Sequence, residues 1–129
     1  MKPLKGIKVI DFTSSISGPY CGALLADYGA EVYKLERPGR GEDSRLFPPQ
    51  KEGVPLGFVS INRAKKGLTI DLNKPEGQEL FRKLAAKVDV ILEDYTPGTM
   101  KRWNVDYETI KAINPKIVYC SVSGFGQFG

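Results

Sequence analysis

Four short segments gather the residue types able to do chemistry. Residues 11–18 set four hydroxyl side chains, Thr13, Ser14, Ser15 and Ser17, around the apolar Ile16, with Pro19 just beyond. Hydroxyls ahead of a helix start are donors suited to an anion, the plainer reading being a capping loop. The G-x-G-x-x-G pattern is missing, which argues against a dinucleotide. Residues 36–45 interleave Arg37, Arg40 and Arg45 with glycines. A guanidinium pairs two oxygens at once and so suits phosphate, but the interspersed Glu42 and Asp43 argue against nucleic acid. Taken alone, that segment reads as a solvated loop. Residues 62–67 carry Arg63, Lys65 and Lys66 ahead of a strand, and for at least one of the lysines a solvated turn is the favoured reading. Residues 94–103 offer Tyr95, Met100 and Trp103 as flat or soft surface for a ring such as adenine, with Lys101 and Arg102 placed to meet phosphates. Met100 reads as core.

Composition narrows the chemistry further. There is no histidine, so histidine acid–base catalysis is excluded within these 129 residues. Cys21 and Cys120 make no disulfide framework, and no metal-ligand spacing is present. Hydrophobic residues make up 41% and charged residues 26%, which describes one ordinary globular domain with a core. No stretch approaches the ~20 apolar residues of a membrane span. The amino terminus lacks the apolar segment of a secretory signal, so the expected compartment is the cytoplasm. The net charge of +4 fits a solvated surface for most lysines and leaves room for one anionic ligand.

The elements that must position these residues alternate strand and helix. Residues 7–12 read as a buried strand. A helix follows Pro19, with Cys21, Leu24, Leu25 and Tyr28 on one face and Gly29 as its stop. Residues 31–36 read as a second strand, giving a βαβ unit and hence a parallel sheet. Residues 37–60 read as a long irregular loop. A short strand is expected at 68–72, then a helix capped by Asn73 that runs to about Lys87 and buries Leu80, Phe81 and Leu84. Further strands are expected at 88–93 and 117–122. Between them Thr96-Pro97 would cap one short helix, and Asp106 another that ends at Asn114-Pro115. Because loops at the carboxyl ends of parallel strands bind ligands, segments one, two and four fall on one edge. The chain stops in a glycine-rich run directly after a strand, where an α/β sheet turns into its next helix; that reads as a truncation.

Together the segments resemble the class III CoA-transferases, the family of formyl-CoA transferase, carnitine CoA-transferase and the α-methylacyl-CoA racemases. The resemblance spans the whole chain. It rests on Pro3-Leu4-Lys5-Gly6-Ile7 with Asp11 and Gly18-Pro19; on Ala26-Asp27-Tyr28-Gly29-Ala30-Glu31-Val32 with Glu36-Arg37-Pro38-Gly39; and on Asn62 with Lys65-Lys66. Tyr95-Thr96-Pro97-Gly98 and Ser121-Val122-Ser123-Gly124-Phe125-Gly126 complete it. Each is weak alone; five in order are specific.

The resemblance implies a Rossmann-like α/β fold, mostly parallel with flanking helices and incomplete at its C-terminal end. Residues 1–129 would be the N-terminal part of a CoA-binding large domain. Ser15, Ile16, Ser17, Arg37, Ile70, Asn73, Asp94, Tyr95, Thr99, Arg102 and Trp103 would line the CoA site. Two departures stand out: Asn73 replaces a lysine of formyl-CoA transferase, and Ile16 replaces its glutamine at the acyl end. The implied substrates are a CoA thioester and a carboxylic acid, with no tightly bound cofactor. The implied full-length protein is a homodimer that binds neither nucleic acid nor membrane. The family's nucleophilic aspartate lies downstream of the Gly-Phe-Gly segment, so this chain alone is expected to be inactive. A racemase fragment and a stand-alone CoA- or nucleotide-binding module are the alternative readings.

Overall fold

The structure, a computed structural model, describes residues 2–128. In chain order it contains β1 (Lys8–Phe12), α1 (Ser17–Asp27), β2 (Glu31–Glu36), a 3-10 turn (Asp43–Leu46), β3 (Gln50–Lys51), β4 (Val54–Pro55), α2 (Leu56–Ile61), β5 (Lys66–Thr69), α3 (Pro75–Ala85), β6 (Val90–Glu93), α4 (Thr99–Arg102), α5 (Tyr107–Ile113) and β7 (Val118–Ser121). Five strands form one sheet in the order β5-β2-β1-β6-β7, and every pairing in it is parallel. This is the α/β fold that the strand–helix alternation predicts. The order runs outward from β1 to β2 and β5, then returns to the other side of β1 for β6. The switch point of the sheet therefore lies between β1 and β6, where loops diverge and a crevice opens.

Alternation along β1 assigns its residues to two layers. Ile10 and Phe12 join Leu35, Phe81, Ile91, Val105 and Ile110 in the larger core, beneath α3 and α5. Val9 joins Val32, Leu92 and Ala26 beneath α1. Asp11 falls in the same row as Val9 and is fully buried.

The helix faces differ from expectation. In α1 the buried residues are Gly18, Pro19, Gly22, Ala23 and Ala26, whereas Leu24 and Tyr28 are exposed. The helix lies too close to β1 for large side chains: a Cβ at Gly22 would stand 2.4 Å from the Asp11 carboxylate. In α3, Phe81 and Ala85 are buried, Leu84 packs against the core and Leu80 faces outward. Asn73 does not cap α3. Pro75 holds Lys74 extended at the cap position, and the Asn73 N–H donates instead to Asp71 Oδ1 at 3.1 Å. Ahead of α4 the cap is Gly98 at φ 87°, with Thr96 giving only its carbonyl to the Thr99 N–H.

Residues 37–60 are not structureless. They hold the 3-10 turn, the β3–β4 ladder and most of α2. Arg45 anchors this excursion: its guanidinium pairs both oxygens of Glu36, at 2.8 and 2.7 Å, and stacks 3.8 Å from the Phe58 ring centre.

Candidate functional site

At the carboxyl edge of the sheet a cleft of about 340 Å³ opens between the ends of β2, β5 and β6. Arg37 reaches it from the end of β2, Ile70 and Asn73 from the end of β5, and Tyr95, Thr99, Arg102 and Trp103 from the segment after β6. These seven residues, named above from sequence, line one cavity. Its apolar wall is aromatic: the Tyr95 ring lies 4.7 Å from Phe12 and edge-on 5.1 Å from Trp103. Burial pushes the Tyr95 phenol up to about 12, against a partial pull downward from Arg37. The polar rim carries two cations, Arg37 and Arg102, and one acid, Asp71. Arg102 donates to Thr99 Oγ1 at 3.3 Å, and Arg37 donates through Nε to the Gly41 carbonyl at 2.9 Å while pairing with Asp43. Met100 is buried beneath the wall, as the sequence suggests.

Ser15, Ile16, Ser17 and Asp94 lie outside that lining. The β1–α1 loop borders a smaller recess, which Phe12, Arg37 and Tyr95 share with the main cleft. Ile16 is 66% exposed and Ser17 is exposed as well. The loop amides are not free for an anion. The Ser14 N–H donates to Asp94 Oδ2 at 2.7 Å, and the Ser15 N–H donates to Glu42 Oε2 at 3.0 Å. Ser15 takes the left-handed conformation, φ 65°, at a cost of about 1–2 kcal/mol for a residue with a Cβ. Burial raises the carboxyls of both Glu42 and Asp94.

Beneath this loop lies a buried charge network that sequence reasoning missed. Lys65 donates to Asp11 Oδ2, Pro19 O and Asn62 Oδ1 at 2.6, 2.7 and 2.8 Å. Burial lowers its pKa, and Asp11 opposes that shift. Lys34 is 3% exposed and donates to the Thr13 carbonyl at 2.5 Å, with Asp11 Oδ1 at 3.7 Å. The solvated turn read for at least one lysine of residues 62–67 fits Lys66: Arg63 and Lys66 are exposed and paired with Asp27 and Glu31, whereas Lys65 is core. The signal for it was Asp11, a lone acid inside an apolar strand.

A larger cavity of about 480 Å³ lies on the far side of Tyr95, against β7. Glu93, Asp106 and Glu108 face it with Lys101 as its one cation, so its charge opposes phosphate. The cleft with Arg37 and Arg102 is the better match to an anionic ligand. Among the described residues no cluster of three histidine, cysteine, aspartate or glutamate side chains is placed to hold a metal. No helix among them is long and apolar enough to cross a membrane.

Comparison with known proteins agrees with this architecture. The chain is 43% identical over 129 residues to succinyl-CoA–D-citramalate CoA-transferase of Chloroflexus aurantiacus, covering 99% of this chain and 32% of that protein. It is 42% identical to human (Homo sapiens) succinyl-CoA:glutarate CoA-transferase, covering 100% of this chain and 30% of the relative. The chain thus spans about a third of the length of these curated relatives. Among solved structures, a CAIB/BAIF family protein from Brucella suis superposes with a TM-score of 0.92 at 41% identity, over 99% of this chain and 35% of that one. A hypothetical protein of Mycobacterium tuberculosis gives a TM-score of 0.91 at 38% identity, over 100% and 36%. The model of CoA-transferase family III matches residues 4–129, and the chain belongs to that family.

Proposed function

We propose that residues 1–129 are the N-terminal part of the CoA-binding large domain of an acyl-CoA:carboxylate CoA-transferase. The cleft receives the nucleotide half of CoA. The observation that carries this reading is the convergence of Arg37, Arg102, Tyr95 and Trp103 on one cavity at the carboxyl edge of a parallel sheet. The two guanidinium groups meet phosphate or ribose oxygens, Asn73 and Thr99 add neutral polar contacts, and Ile70, Tyr95 and Trp103 flank the adenine. Ser15, Ile16, Ser17 and Asp94 form the end of the site nearer the thioester. The relatives' names, each pairing succinyl-CoA with a carboxylic acid, support a CoA thioester and a carboxylate as substrates.

In this reading the nucleophile is an aspartate beyond these residues. Its carboxylate attacks the thioester carbonyl and expels CoA thiolate, leaving a mixed anhydride. The thiolate then attacks the enzyme's carbonyl and releases the original acid, which leaves an enzyme–CoA thioester for the incoming carboxylate. Asp11 cannot substitute: it is fully buried and bound to Lys65. The chain by itself transfers no CoA, and the full-length protein is a homodimer.

Calorimetry tests the reading. Wild type binds CoA, and Arg37→Ala or Arg102→Ala each weakens binding about ten- to a hundredfold, as expected for loss of one charge-assisted contact. Dephospho-CoA shows whether the 3′-phosphate is recognised. If both variants bind CoA as wild type does, the site lies elsewhere. Turnover of acyl-CoA with a carboxylate by the 129-residue chain would place the nucleophile in this segment.

A further inference from the structure

A buried carboxylate, Glu42, and a half-buried one, Asp94, lie next to the cleft and have no part in holding phosphate. We propose that Glu42 and Asp94 are positioning residues that hold the Ser14–Ser15 backbone, so that Ile16 and Ser17 present a fixed surface to the pantetheine arm of CoA. This rests on the CoA reading above. Two consecutive amides, Ser14 and Ser15, donate to carboxylates that arrive from two different loops, after β6 and after β2. Lys34 ties the preceding residue through its carbonyl. Three successive residues of the loop are therefore each held at the backbone by a charged side chain from another element.

Glu42 is itself fixed. It is 4% exposed, the Ser44 hydroxyl donates to its other oxygen, and its own N–H donates to Glu36 Oε1 at 3.2 Å. Glu36 is in turn clamped by Arg45. These contacts do not cap α1, because the amides they hold, Ser14 and Ser15, precede its N-cap residue, Ile16. They keep Ser15 in a conformation that a non-glycine residue disfavours, and leave Ile16 and Ser17 uncovered. With both amides already taken, the loop has no free backbone donor there for a phosphate and suits a neutral arm.

The test uses the 129-residue chain with two probes, CoA and adenosine 3′,5′-bisphosphate, which lacks the arm. Glu42→Ala is expected to weaken CoA binding about tenfold and to change bisphosphate binding by less than about twofold, the loss of a single charge-assisted hydrogen bond at the far end. Amide hydrogen exchange at Ser15, followed by NMR, accelerates in the same variant. Glu42→Gln keeps an oxygen to accept the Ser15 N–H and restores both readouts. Asp94→Ala gives the same losses with Ser14 as the exchanging amide, and Asp94→Asn restores them. Should Glu42→Ala fail to fold, Ser44→Ala, which removes only the hydroxyl steering that carboxylate, gives the same pattern more weakly. The proposal is overturned if the folded variant binds CoA as wild type does, or loses both probes equally with Ser15 exchange unchanged. A wild-type chain that binds neither probe overturns the CoA reading, and with it this role for the two carboxylates.

Discussion

Asp11 and Lys65 meet at 2.6 Å with side chains 0% and 1% exposed, joining the central strand to a turn 54 residues later. The ammonium has three hydrogens, and three acceptors surround it: Asp11, Asn62 and the Pro19 carbonyl. Such a pair stabilises little relative to an apolar replacement of both partners, but removing one partner strands a charge in the core.

Lys65→Met should therefore destabilise the fold by about 3–5 kcal/mol, read from the midpoint of urea unfolding. Lys65→Arg should not rescue it. A planar guanidinium cannot aim at three acceptors arranged around a tetrahedral ammonium. A variant within error of wild type would show that the pair is dispensable.

Gly22→Ala and Gly57→Ala should move stability in opposite directions. A Cβ at Gly22 would stand 2.4 Å from Asp11 Oδ2 and 3.1 Å from Lys65 Nζ, so helix and strand must separate. A Cβ at Gly57 in α2 meets nothing within 4 Å. The first change should cost about 1–3 kcal/mol by overpacking, and the second should gain about 0.5–1 kcal/mol from helix propensity. Thermal melts of both variants give the comparison.

Tyr95 should impose a decline in stability at high pH. Its phenol is raised by burial to about 12 from an ordinary value of 10.0. The folded value exceeds the unfolded one, so the contribution is complete below pH 10 and is lost as pH rises toward 12. Lys65 acts in the opposite sense: its folded pKa lies below its unfolded one, so its penalty relaxes with rising pH. The difference between wild type and Tyr95→Phe isolates the phenol. Tyrosinate absorbance should show one fewer group titrating above the ordinary tyrosine range in the variant.

Trp103, the single tryptophan of the chain, should report ligand binding directly. It lines the cleft with its ring 5.1 Å from Tyr95. CoA should change its emission, and Arg37→Ala should shift that titration to about ten- to a hundredfold higher concentration. Emission that CoA leaves unaltered would place the adenine away from this wall.

Part of the cleft was legible from strands, which could be read from short apolar runs, whereas Ile70, Asn73 and Thr99 were named only through the family resemblance. Arg37 and Tyr95 needed only their position after β2 and β6. What stayed hidden depended on distance between layers or on partners far along the chain. Leu24 and Leu80 fit a helical apolar face, but the close approach at Gly22 and the packing of Phe81 decide which face is inside. Lys65 sits between exposed cations, and nothing in its spacing reveals that Asp11 faces it. Strands of two residues and a six-residue helix are too short for periodicity, which is why residues 37–60 looked irregular. Glu42 was just one more acid among arginines until the fold brought it to Ser15.

The return of the chain across the sheet also governs when the crevice can exist. The two sides of the switch point are joined by Ser14 and Asp94, which lie 80 residues apart. Closing so long a loop carries an entropic cost that local helices avoid, and it delays non-local pairing. Until β6 docks, β1 has only one neighbour and the wall carrying Tyr95 and Trp103 has nothing to lean on. In a refolding chain, helical signal should therefore recover ahead of any capacity to hold a ligand, which arrives with β6.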